Sequence, residues 1–422
     1  MDYQKTTLDN GLRIVSTTMP HTRSVCMCIF IGAGSCYEPA PQAGVSHFLE
    51  HLCFKGTERR ATSKEISETI EGIGGLLNGG TDKELTVYWA KVARPHFPLA
   101  LDLLVDMLRH SKLDPAEIEK ERQVIIEELN MTMDSPHQRV DMLVDEALWP
   151  DQPLGRDVAG TKETVAAINR DMMLHYMAQQ YVPSNTVVSV AGDIGHDEVV
   201  SSLSQPLGDW RYGSAGPWYP ADDRQEAPRL KLEQRKTEQA HLCLGLRGLS
   251  SVHPDRFVLD LLVVVLGEGM SSRLFLELRE RRGLAYDVHS YVSHFHDSGS
   301  VIIYAGVDPK NLETTVEAVL GELHRLKADP VPEEELTKAR EFSKGRLLLR
   351  MEDTRSVAGW LGGQELLTER ILTVDEVVSL VDAITPQDLQ RVAQGLFTRN
   401  GLSLAVVGPV RRRRRLGGLL KL

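Results

Sequence analysis

Residues 44–57 read GVSHFLEHLCFKGT, and the five at 47–51, HFLEH, set two histidines and a carboxylate among apolar residues. Taken as a helix turn, His47 and His51 are four apart, so both imidazoles leave on one side. Glu50 lies near the same side, close enough to touch a water held by a metal there. Phe48 and Leu49 face elsewhere and can anchor the turn in a core, with Cys53 packing as a small hydrophobe. A lone histidine is most often a satisfied core or surface residue; two at i and i+4 around a glutamate fit a metal site better. The order H-x-x-E-H inverts the H-E-x-x-H zinc signature. A catalytic zinc ordinarily takes three protein ligands and keeps one position open, so a third ligand must come from elsewhere.

The acidic segment 118–131, IEKERQVIIEELNM, can supply it. The pattern predicts a helix over 114–133, with Pro115 in its first turn. Glu121 and Glu128 are two turns apart and share a face, whereas Glu127 is turned away by about 100°. A solvated acidic face is the alternative, and spacing alone leaves Glu117, Glu119, Glu121, Glu127 and Glu128 all open.

Outward from this region, the chain echoes itself. VCMCIFIG at 25–32 is matched by AHLCLGLR at 240–247, and VVSVAG at 187–192 by SLAVVG at 403–408. Two weak echoes at nearly the same offset predict a duplicated domain. Between them, 205–229 is rich in Gly, Pro and charge and reads as a linker, which places a boundary near 215: domains at 1–214 and 215–422. Helical patterning at 44–54, 95–110, 136–149, 254–267, 271–282, 310–328 and 332–351 alternates with strands at 84–92, 185–192, 285–294 and 299–307. Asn10-Gly11 marks a hairpin between 5–8 and 12–17. The fold class expected is α+β, each half a mostly antiparallel sheet with helices on one face.

With 422 residues and 42% hydrophobic content, the chain can bury more than one core. A net charge of −11 argues against a nucleic-acid binder. Five cysteines without a CxxC pair fit a reducing compartment, hence the cytoplasm. The opening MDYQKTTLDNGLRIV lacks the basic start and apolar run of a signal peptide. The most apolar segment, FVLDLLVVVLGEGM, is too short to span a bilayer, so no stable membrane insertion is expected. The basic run Arg411–Arg415 reads as a solvated end.

Together, TTLDNGLRIVS at 6–16, GAGSCYEPAPQAGVSHFLEHLCFKGT at 32–57, ERQVIIEEL at 121–129 and GMSSRLFLELRERRGLAYDV at 269–288 carry a resemblance over nearly the whole chain. The sequence resembles the M16 family of inverted-zincin metallopeptidases, and most closely its processing-peptidase branch, with bacterial relatives. The resemblance implies two M16-type domains and one Zn2+ per chain. It puts the zinc on His47, His51 and Glu128, the last closing the family's V-I-x-x-E pattern. It makes Glu50 the catalytic base and Glu121 a supporting acid. Asn78 corresponds to an asparagine near the cleft, next to Gly79, where the family usually carries another residue and where a more flexible loop is expected. Arg279 and Tyr286 correspond to a substrate-contacting pair. The second half carries apolar helix where HxxEH would stand, and the resemblance gives that half the task of closing a substrate chamber. The expected activity is zinc-dependent endopeptidase cleavage of extended, unfolded peptides or flexible termini. The expected assembly is a homodimer or a heterodimer with another M16 subunit. The rival reading is a non-catalytic peptide-binding partner of another M16 chain, against which the intact ligand set argues.

Overall fold

The two sequence echoes fall on matching strands of two sheets. In the computed structural model, which describes residues 2–411 and 413–422, Arg412 of the basic run lies outside the described residues, as does Met1 of the opening segment. The first sheet is built from β1 (Gln4–Thr7), β2 (Arg13–Thr18), β3 (Ser24–Ile31), β4 (Leu76–Thr81), β5 (Thr86–Ala93) and β6 (Thr186–Gly192), in the order β1-β2-β6-β3-β5-β4. The second is built from β7 (Arg229–Gln234), β8 (Ala240–Arg247), β9 (Ala285–His294), β10 (Gly299–Val307) and β11 (Ser403–Gly408), in the order β7-β11-β8-β10-β9. Without β1, the two orders are the same. Each sheet has one parallel pair in the same place, β2 with β6 and β7 with β11, and is otherwise antiparallel. The echoing segments are β3 with β8 and β6 with β11. The fold is therefore the α+β duplication that the sequence predicts. Asn10-Gly11 does sit in the turn of a hairpin, β1 pairing antiparallel with β2 and Gly11 at φ 87°.

The described residues form two compact units, and the chain does not fill them in two uninterrupted runs. The first takes residues up to Leu129, Asp157–Tyr219 and Leu348–Val374; the second takes Asn130–Arg156, Pro220–Leu347 and the described residues from Asp375 onward. The stretch 211–226 has no regular secondary structure.

In the first unit, β3 is buried on both faces, which is why it reads as an unbroken apolar run. Val25, Met27, Ile29 and Ile31 join the larger core with Phe48, Leu49, Leu52, Ile125 and Leu129 of the helices Val45–Cys53 and Pro115–Asp134. Cys26, Cys28 and Phe30 point the other way and meet Val357, Ala358 and Leu361 of the helix Thr354–Thr368. Gly362 makes that approach possible: a Cβ there would lie 2.3 Å from the Phe30 ring. The second unit repeats the device. The helix Pro136–Leu148 covers β8 and β11, with Gly245 leaving room for Val144, while the helix Arg256–Gly267 packs on β9. So the helices are not confined to one face. Each sheet receives one helix on its second face, and that helix comes from the opposite half of the sequence.

Candidate metal centre

The HFLEH segment winds as part of the helix Val45–Cys53, and its amphipathic spacing buries Phe48, Leu49, Leu52 and Cys53 in the core. The N-terminus of this helix is fixed by a carboxylate seven residues upstream of Val45. Glu38, wholly buried, accepts the N–H groups of Gly44 at 2.7 Å and Ser46 at 2.8 Å. It thereby satisfies amides that an open helix end leaves unpaired. Gly44 precedes the helix at φ 95°, a conformation that favours glycine. Ser46 Oγ is tied to Tyr176 Oη at 2.8 Å.

On the other side of this helix, the rings of His47 and His51 meet edge to face with centroids 4.6 Å apart. The helix Pro115–Asp134 crosses them. Glu128 Oε2 lies 3.9 Å from His47 Nε2 and 3.6 Å from His51 Nε2. One donor atom from each of His47, His51 and Glu128 falls within 4.8 Å of the others, and among the described residues no other group meets that test. Of the five carboxylates left open by spacing, Glu128 is the one that joins the imidazoles. Glu119 turns to Arg122 and Glu117 to Lys120, while Glu127 is exposed. Glu121, two turns before Glu128, is buried with Oε2 3.1 Å from His51 Nδ1. A carboxylate oxygen accepts, so with Glu121 as the acceptor His51 donates from Nδ1 and faces Glu128 with Nε2.

Burial, followed by the neighbouring His51, lowers the pKa of His47 to about 4. The ring is therefore neutral near pH 7 and free to donate a lone pair. Two imidazoles and one carboxylate, with a second carboxylate orienting one ring, suit a zinc ion, and among the described residues there is one such site.

Glu50 stands beside this cluster. Thr81 Oγ1 donates to its Oε2 at 2.7 Å. Burial raises its pKa, partly offset by the Thr81 hydroxyl and His51. Thr81 ends β4, so the segment around Asn78 and Gly79 is strand rather than flexible loop. Pairing of β4 with β5 fixes it. A side chain at Gly79 would meet Glu50 Oε1 and Phe54 at 3.0 Å, so the glycine leaves the carboxylate room. Asn78 is exposed, and its carboxamide oxygen accepts the Gly79 N–H; it is not brought into contact with the cluster.

Arg279 and Tyr286 lie in the second unit. Residues Phe275–Arg281 wind as a π-helix, a form that recurs at functional sites. The Arg279 guanidinium lies 4.5 Å from the centre of the Tyr286 ring, and its Nη1 donates to the Tyr286 carbonyl at 3.0 Å. The pair is thus assembled, with Tyr286 largely exposed.

Glu38, Lys55 and Thr81 were not singled out from the sequence. Lys55 is four residues after HFLEH, in CFKGT, and that proximity is a signal; Glu38, in YEPA, and Thr81, in GGTDKE, stand farther off and are brought to the site only by the fold.

Comparison with known proteins bears on this geometry. The family model for insulinase (peptidase family M16) matches residues 13–162, and that for the peptidase M16 inactive domain matches 167–342. The chain is 39% identical to the uncharacterized zinc protease YmxG of Bacillus subtilis, covering 96% of this chain and 97% of that one. It is 37% identical to an uncharacterized zinc protease of Streptomyces coelicolor, over 97% and 90% of the two chains. A protease from Helicobacter pylori shares the fold at a TM-score of 0.91 and 23% identity, over 97% of this chain and 99% of that one. With two family models covering most of its length and a His/His/Glu cluster in the first of them, the chain belongs to peptidase family M16.

Proposed function

We propose that this protein is a zinc endopeptidase of the processing-peptidase branch, cutting internal bonds of extended, unfolded peptides or flexible protein termini. The observation that carries this reading is the run of β4 past Glu50. This strand pairs with β5 on one side only and forms the edge of its sheet, while its Thr81 holds the Glu50 carboxylate. A peptide adding as a strand to that edge would bring its backbone past the carboxylate, with recognition by main-chain hydrogen bonds rather than by sequence.

His47, His51 and Glu128 would hold the zinc. When bound, the metal polarises the scissile carbonyl and lowers the pKa of the attacking water. Glu50 accepts that water's proton and returns it to the departing amine nitrogen. Its burial raises its basicity for the first step, and Thr81 fixes its direction. Glu121 keeps His51 in the tautomer that offers Nε2. Asn78, on the exposed edge strand, and the Arg279–Tyr286 pair are assigned to substrate contact.

Among the described residues no helix is long and apolar enough to cross a membrane, and the five cysteines are buried and form no disulfide. The relatives compared above are bacterial, and the reading places this protein in the bacterial cytoplasm, acting as a homodimer or with a second M16 subunit. The test is cleavage of a quenched, unstructured peptide carrying basic residues, with and without a chelator. Cleavage at internal bonds that chelation stops and zinc restores supports the proposal; removal of single terminal residues contradicts the endopeptidase reading.

A further inference from the structure

We propose that Lys55 is a positioning residue for the metal centre, acting on His51 through Glu121. The inference rests on the zinc reading above. Glu121 is almost completely buried, and a buried carboxylate needs partners for both oxygens. Its Oε2 accepts the His51 Nδ1–H at 3.1 Å, and its Oε1 lies 2.7 Å from Lys55 Nζ. The carboxylate is divided between a metal ligand and a cation.

The placement follows from the local chain. Lys55 is four residues after His51, in the turn that ends the helix, where its N–H donates to the Leu52 carbonyl at 3.0 Å. That bond fixes the backbone from which the ammonium reaches Glu121. From the other side, the seven-residue spacing on the Pro115–Asp134 helix puts Glu128 at His51 Nε2 and Glu121 at Nδ1. The imidazole is held at Nδ1 by Glu121 and faces Glu128 with Nε2, and Lys55 keeps the Glu121 end in place. Three carboxylates, Glu50, Glu121 and Glu128, surround two histidines here, and Lys55 sets a positive charge against them. Without it, Oε1 of Glu121 is released, the carboxylate is free to rotate, and His51 loses its aim. Partners of this kind typically change metal affinity 10- to 100-fold.

The test uses the full chain stripped of metal. Zinc affinity is measured by competition with a chromophoric chelator for wild type, Lys55→Met, Lys55→Arg, Glu121→Gln and the Lys55→Met/Glu121→Gln double variant. The expected result is zinc binding about 10- to 100-fold weaker in Lys55→Met, largely restored in Lys55→Arg. In the Glu121→Gln background, Lys55→Met should add nothing, because its route to His51 is already cut. Wild-type affinity in Lys55→Met overturns the proposal, as does a full additional loss in the double variant. Melting curves establish that each variant is folded; if Lys55→Met is not, Lys55→Gln carries the same comparison. A wild type that binds no zinc would instead remove the metal reading on which the proposal stands.

Discussion

Glu121 and Glu128 flank the same imidazole at opposite ends: Glu121 Oε2 lies 3.1 Å from His51 Nδ1, and Glu128 Oε2 lies 3.6 Å from His51 Nε2. Two carboxylates on one helix face thus do different work, one joining the donor set and one orienting a member of it. Glu121→Gln keeps the shape but loses the ionised acceptor, so zinc affinity should fall about 10- to 100-fold. A spectroscopic competition titration measures this. Cleavage at saturating zinc should fall less than in a Glu50 variant.

Thr81 links the edge strand to the proposed base. In Thr81→Val the 2.7 Å bond to Glu50 Oε2 is lost while the strand is kept. We expect kcat to fall by up to about 100-fold, as for a misplaced catalytic group, with zinc content unchanged. Steady-state kinetics and elemental analysis on one preparation separate the two effects.

How far the site could be read from sequence depends on distance along the chain. HFLEH declares itself because helical spacing alone puts His47 and His51 together. The choice of Glu128 over its neighbours could not come from spacing, because it depends on how a helix some 70 residues away crosses the first; the V-I-x-x-E resemblance supplied it. Strand β4 was missed because LLNGGT carries two glycines and no clear alternation, and it is pairing with β5 that makes it a strand. The duplication was visible in β3, β6, β8 and β11, whose buried runs repeat. The helix Thr354–Thr368 was not foreseen, and nothing in TRSVAGWLGGQELLT says that it covers a sheet built from the other half of the chain.

Glu38 makes a stability prediction. It is a fully buried carboxylate accepting two helix amides. Glu38→Ala leaves both without an acceptor, at a cost of about 1–3 kcal/mol per lost partner. Chemical denaturation should show the loss, and Glu38→Gln, which keeps one oxygen acceptor, should lose less.

His294 predicts a pH dependence in the second unit. Burial opposes its charge, but the Asp260 carboxylate, 3.1 Å from Nε2, and the Leu249 carbonyl at Nδ1 more than offset this, so its pKa is raised. A raised folded-state pKa means that the stabilisation is fully present below the unfolded value near 6.5 and is lost as pH rises through the folded value. Asp260 is partly exposed, so the size should stay below about 1 kcal/mol. Denaturation of wild type and Asp260→Asn should differ most below the unfolded value and converge as pH rises through the raised folded value; a gap that widens with pH would contradict the assignment.

The central claim is that His47, His51 and Glu128 hold a zinc ion beside which Glu50 acts as base. The most direct measurement is zinc content and peptide cleavage, determined together on wild type, Glu50→Gln and Glu128→Gln. Wild type should hold one zinc per chain and cleave, Glu50→Gln should retain zinc with cleavage lost, and Glu128→Gln should lose the zinc itself. Full cleavage by Glu50→Gln, or undiminished zinc in Glu128→Gln, would contradict the claim.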